Sequence, residues 1–168
     1  GSQSEATGSG SISIGLDATS SMTNSLALGN YTDAIGNTGA TAIGYSAQAA
    51  GLNAMALQRS YASGTDSLAA AIANNTSTYG ATGQESVAIG KQAKATAIGS
   101  LALSANRFGP ATSTSNGAVA IGDTVTASGS LSLAMGYNTT ASASSAIAIG
   151  SGITNSTANQ VVLGGTTQ

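Results

Sequence analysis

Large apolar residues in this chain never gather into long runs. They recur instead in a four-residue unit, apolar, small, Ile/Leu/Met, Gly, at regular intervals. Clear copies are Ile12-Ser13-Ile14-Gly15, Leu26-Ala27-Leu28-Gly29, Val87-Ala88-Ile89-Gly90, Val119-Ala120-Ile121-Gly122, Ile147-Ala148-Ile149-Gly150 and Val161-Val162-Leu163-Gly164. Degenerate copies fill the gaps: Thr41-Ala42-Ile43-Gly44, Met55-Ala56-Leu57-Gln58, Ala70-Ala71-Ile72-Ala73, Leu101-Ala102-Leu103-Ser104 and Leu133-Ala134-Met135-Gly136. The fourth positions fall at 15, 29, 44, 58, 73, 90, 104, 122, 136, 150 and 164. The step is therefore 14 or 15 residues, except for 17 before Gly90 and 18 before Gly122. A fixed period of this kind decides the fold before any single element does.

Within each tetrad large and small residues alternate, the period of two that marks a strand buried on one face. Each tetrad predicts a short strand. Its third-position residues, Ile14, Leu28, Ile43, Leu57, Ile72, Ile89, Leu103, Ile121, Met135, Ile149 and Leu163, are the expected core repeat. Three and five places after the tetrad come further small residues, such as Ala47 and Ala49, Ala93 and Ala95, or Val125 and Ala127, which predict a second strand. Glycines between the two supply the positive dihedral angles of tight corners. Two strands and two corners in 14 residues make one coil. Stacked coils pair each strand with its own copy above and below, giving an all-β parallel β-roll (solenoid) of about eleven 14-residue coils, roughly 50 Å long at about 4.8 Å per coil.

The boundaries follow from the steps. Residues 1–10 are expected to be a tag scar (Gly1-Ser2) and an N-terminal edge, and residues 11–168 a single β-roll with surface insertions near 74–86 and 105–118, where the long steps fall. A lone coil encloses very little, because sheets about 10 Å apart leave room for only one or two large side chains. The Ala/Ser face of the same strands is expected to receive the backbone of another copy, so the chain should be an obligate oligomer.

Composition sharpens this picture. Gly (23), Ala (33), Ser (26) and Thr (21) make up about three fifths of the 168 residues, while Ile, Leu, Val and Phe number only 28. So few large side chains cannot fill a conventional interior. Disorder would require more charge than ten charged residues and a net of −2, with a mean hydropathy of +0.16. The absence of Cys and His excludes thiolate or imidazole nucleophiles and the usual zinc sites. Four cations, Arg59, Lys91, Lys94 and Arg107, are too few to neutralise a row of phosphates, so no nucleic-acid partner is expected. No run reaches the length of a membrane span, and no membrane contact by these residues is expected.

The six carboxylates fall at different phases of the coil, so none is forced to stack into a catalytic or metal-binding pair; no cofactor, metal site or enzyme activity is expected. A calcium-binding roll would need an Asp in every turn. Thr124 and Thr126 suggest a flat hydroxyl array. Counting their equivalents as Thr139 with Ala141 and Ala93 with Ala95 leaves that ladder interrupted. The 105–118 insertion holds the only Phe and the only Pro, beside an Arg. Aromatic and Arg side chains dominate interface hot spots. Arg107, Phe108 and Pro110 are therefore the candidate ligand or inter-subunit contacts.

The recurring tetrads, Ser86-Val87-Ala88-Ile89-Gly90 above all, with their 14-residue step and trailing Ala-x-Ala, resemble the head repeats of trimeric autotransporter adhesins. The resemblance covers about residues 11–165. It implies a left-handed roll, three chains side by side as a homotrimer, and display on a bacterial cell surface through a stalk and an outer-membrane anchor that lie outside these residues. In that family the motif Asn-Ser-Val-Ala-Ile-Gly is associated with collagen binding; here Glu85 stands in the Asn position, and no other copy matches fully. The function so implied is a non-enzymatic adhesin head that holds extracellular-matrix, host-cell or neighbouring-cell ligands by multivalency. The alternative is a segment of a phage tail fibre, which also uses trimeric β-rods.

Overall fold

The computed structural model describes residues 1–71 and 78–165. Its strands, β1 (Glu5–Ala6) through β22 (Val161–Gly165), form two eleven-stranded sheets, one of odd-numbered and one of even-numbered strands. Every pairing is parallel and joins a strand to its copy one coil away, as in Ile12↔Leu26, Ser13↔Ala27 and Ile14↔Leu28. The tetrads form the even sheet and the trailing small residues the odd sheet, and β1 enters the odd sheet opposite Thr19 and Ser20. No helix occurs among the described residues.

Local chemistry fixes the corners. The residue before each tetrad's leading Ser or Ala takes a left-handed conformation, as at Asn24 (φ 56°), Asn53 (52°), Asp66 (54°) and Glu85 (55°). The Ser that follows turns its hydroxyl back onto the carbonyl three residues earlier: Ser25 to Met22 (2.6 Å), Ser67 to Gly64 (2.7 Å), Ser86 to Gly83 (2.7 Å), Ser100 to Ala97 (2.8 Å). Each such bond satisfies a buried hydroxyl and a corner carbonyl together. At the other corner, Gly136 (φ 128°) is stacked so closely that a β-carbon would run into the carbonyl oxygen of Gly150.

The interior corrects the expected core. Second-position Ala27, Ala42, Ala56, Ala88, Ala102, Ala120, Ala134 and Ala148 are fully buried, as are Ala34, Ala49, Ala62, Ala95, Ala127 and Ala141 of the odd sheet. The third-position residues point outward. Ile14 (55%), Leu28 (40%), Ile89 (38%) and Leu163 (69%) are exposed, Ile43, Leu57, Leu103, Ile121, Met135 and Ile149 are only partly covered, and Ile72 lies outside the described residues. The Ala/Ser face is thus the lumen of the coil and not a landing surface for another backbone. The reason is steric: corners of about four residues hold the sheets too close for anything larger than Ala or Ser over most of the length. Larger buried side chains are few: Thr32 and Thr139, whose hydroxyls donate to the carbonyls of Gly29 (2.9 Å) and Gly150 (2.8 Å), and, toward the C-terminal end, Val125, Ile153 and Asn155, the last donating to the carbonyls of Ile147 (3.0 Å) and Gln160 (2.8 Å).

The register also moves one tetrad. Leu68, Ala69 and Ala70 pair with Met55, Ala56 and Leu57 on one side and with Val87, Ala88 and Ile89 on the other. The fifth copy is therefore Leu68-Ala69-Ala70, not Ala70-Ala71-Ile72-Ala73, and the adjoining steps are 13 (Met55 to Leu68) and 19 (Leu68 to Val87). Its extra residues fall between β10 (Leu68–Ala70) and β11 (Gly80–Ala81). In the later long step they lie between β14 (Leu101–Ser104) and β15 (Ala111–Ser113), so residues 111–118 are ordinary coil and the insertion is confined to 105–110.

Candidate functional site

The insertion 105–110 emerges on the edge of the roll where each tetrad strand turns into the following short strand. Here backbone amides that would otherwise need water converge on one carboxylate. Asp123, one coil further on, accepts from the N–H of Arg107 (3.0 Å), Phe108 (3.1 Å to each oxygen) and Gly109 (2.9 Å), and from the Thr124 hydroxyl (3.2 Å). Asn106 ties the other side, donating to the Lys91 carbonyl (2.8 Å) and the Gln92 side chain (2.8 Å). Gly109 packs closely here: a β-carbon would come within 2.8 Å of the Thr124 hydroxyl, so a larger residue would have to displace that side chain. Half-buried Pro110 follows, with φ fixed by its ring.

Electrostatics follow from this geometry. Desolvation by burial would raise the Asp123 pKa, but the amides of Gly109, Phe108 and Arg107 and the Thr124 hydroxyl outweigh it and hold the carboxyl below its ordinary value of 3.8. Its lone pairs are occupied by the loop. With the loop anchored from below, its tip is held open to solvent. Phe108 is 67% exposed, Arg107 lies over its ring at 5.0 Å from the centroid, and Tyr137, two coils beyond, meets it edge-on at 5.7 Å. The structure therefore brings Arg107 and Phe108 into one ridge with Tyr137, while Pro110 sits behind the loop tip.

The third-position residues form a different surface. First and third positions stack in register along the outer face of the even sheet, from Ile12 and Ile14 to Val161 and Leu163, making two nearly continuous apolar columns. The described surface carries no cavity, and no three His, Cys, Asp or Glu side chains converge among the described residues. The hydroxyl ladder needs a correction as well. Thr126 pairs with Thr140 and not with a residue at 139 or 141, so Thr112, Thr126, Thr140 and Thr154 form an unbroken outward column over four coils.

Sequence reasoning missed Asp123, Tyr137 and Asn106. The signal was available in the period: in a roll the neighbour of residue n is near n+14, which places Asp123 beneath Gly109 and Tyr137 beside Asp123. A family model described as the YadA head domain repeat matches residues 1–32, 34–57, 81–103 and 127–152, more than half of the chain. The unmatched stretches 58–80 and 104–126 are those that contain the irregular steps. No curated protein sequence matches the chain.

Proposed function

The chain belongs to the YadA head family, and from that premise we propose that it is the non-enzymatic head of a bacterial surface adhesin, assembled as a homotrimer and displayed outside the cell by parts of the protein beyond these residues. The observation that carries the reading is the pair of apolar columns. Ile12, Ile14, Leu28, Met55, Ile89, Val161 and Leu163 are each more than a third exposed, in a lattice whose own lumen holds mainly Ala and Ser. Full burial of an aliphatic side chain contributes about 1.5–3 kcal/mol, of which these partly exposed residues have a fraction still to gain, so three rolls placed side by side with these columns inward add burial that one chain lacks. The same arrangement repeats each outward ridge three times. Weak contacts at Arg107 and Phe108 then act together through effective concentration, and attachment needs no deep pocket and no cofactor.

The test has two arms. Sedimentation of the 168-residue chain should give three times 15.9 kDa, and a folded monomer at micromolar concentration overturns the trimer. Display of the chain on a non-adherent bacterium should raise attachment to extracellular-matrix or host-cell surfaces. Attachment no higher than that of the undecorated strain overturns the adhesin reading.

A further inference from the structure

We propose that the edge of the roll carrying the 105–110 loop binds an extended anionic polysaccharide, one bearing carboxylate or sulfate groups. This rests on the adhesin reading above and names its ligand class. The roll distributes its scarce chemistry unevenly. Tyr31 (46%), Tyr45 (52%), Phe108 (67%) and Tyr137 (46%) are the aromatic residues more than a third exposed, and all four lie at corners of this one edge. Three of the four cations, Arg59, Lys91 and Arg107, lie there too, all exposed. The opposite edge carries Asp66 and Glu85, and no Lys or Arg.

These residues form two groups, one of two aromatics with one cation and the other of two aromatics with two cations. In the first, Tyr31 meets Tyr45 edge-on at 5.8 Å, and Arg59 sits on the next coil with its amide donating to the Tyr45 carbonyl (2.8 Å). In the second, Arg107 covers Phe108, Phe108 abuts Tyr137, and Lys91 is joined to the loop through Asn106. Four coils separate Tyr45 from the loop, roughly 20 Å at about 4.8 Å each. Two acids share the edge. Asp17 holds the register position next to Tyr31, at the end of the first cluster away from Arg59, and the Asp123 oxygens are occupied by three amides and a hydroxyl. The edge therefore offers positive charge on a chain whose net charge is −2.

Two cation–aromatic clusters on one line suit a polymer with repeating units. The C–H face of a sugar ring packs on an aromatic side chain, and its acidic groups pair with the adjacent guanidinium or ammonium. Three cations fall short of the six to ten phosphate contacts typical of duplex binding. An acidic polypeptide would need a recess for its anchoring side chains, and the described surface has none.

The experiment measures binding of the intact chain to immobilised heparin, polygalacturonate, neutral dextran and poly-glutamate. Expected are retention on heparin or polygalacturonate, the stronger of the two identifying sulfate or carboxylate, weakening as salt rises, and no retention on dextran. The combined Arg59→Gln, Lys91→Gln and Arg107→Gln variant should bind about tenfold more weakly, as should the Tyr45→Ala, Phe108→Ala pair, while Asp66→Asn with Glu85→Gln on the opposite edge should change nothing. No retention on either polysaccharide overturns the proposal, as does retention that neither edge variant alters. Poly-glutamate bound as tightly as polysaccharide, with the Tyr45/Phe108 pair indifferent, also overturns it and makes the partner an acidic protein. Should a variant lose its β-sheet circular dichroism, competition decides: soluble heparin or polygalacturonate must block attachment of cells displaying the native chain. Attachment that neither competes overturns this inference and leaves the adhesin reading standing; absence of any attachment overturns the adhesin reading instead.

Discussion

The two faces of the tetrad strands are opposites. Inward stand Ala27, Ala88, Ala120 and their copies, with no exposed surface at all; outward, one residue away, stand Leu28, Ile89 and Ile121 in columns that the chain leaves partly bare. Small residues on the inside set how closely the sheets approach and are intolerant of size. Large residues on the outside stack on their copies in adjacent coils and keep part of their surface uncovered within one chain. Folding of the coil and covering of its outer face are therefore separable tasks carried by alternate residues of the same strand, and each can be broken without the other.

The largest expected effect is on the inside. Ala120→Phe has no space in a lumen lined by its Ala and Ser neighbours, so it should exceed the roughly 1–3 kcal/mol usual for overpacking and abolish cooperative thermal unfolding; a native melting curve would place Ala120 on the outside. Next comes the outer face. Ile121→Asp should leave the β-sheet circular dichroism of the coil intact while shifting the sedimenting species to one chain, because a charge cannot be buried between copies without a partner. A species that keeps its full mass would show the columns to be uncovered in the assembly.

Smaller effects come from the two carboxylates that the structure perturbs in opposite directions. Asp123→Asn removes a charged acceptor from three amides, so hydrogen exchange at Arg107, Phe108 and Gly109 should speed up while the rest of the roll is unchanged. Because the Asp123 pKa is depressed in the fold, its contribution is present above the unfolded carboxylate pKa and is lost as pH falls through the lower folded value. Protection of the three amides should follow that course and outlast the pH at which an unperturbed carboxylate protonates. Asp33, half-buried on the odd sheet between Thr19 and Gln48, has its pKa raised by burial. The sign reverses: its ionised form is a liability at neutral pH, relieved as pH drops through the raised value. Asp33→Asn should thus give a small rise in melting temperature at pH 7 that vanishes in acid.

Much of this was legible in the residues. A 14-residue step of alternating tetrads dictates two strands per coil, stacking dictates parallel pairing, and a period that counts eleven tetrads counts eleven strands in each sheet. Composition had already excluded a conventional core. What the period could not say is which face is enclosed, because alternation defines two faces symmetrically. Only the closure of short corners, by bringing the sheets close, sends Ala88 inside and Ile89 out. Nor could it place the fifth tetrad at Leu68, since Ile72 offered an equally apolar third position and the choice is made by hydrogen-bond register with both neighbouring coils. The same holds for the site. Arg107 and Phe108 stood out by rarity, but Asp123 beneath them and Tyr137 beside them are 14 and more residues away along the chain. Stacking brings those distances to a few ångströms, and the insertion that defines the loop also shifts the count by which such neighbours are found.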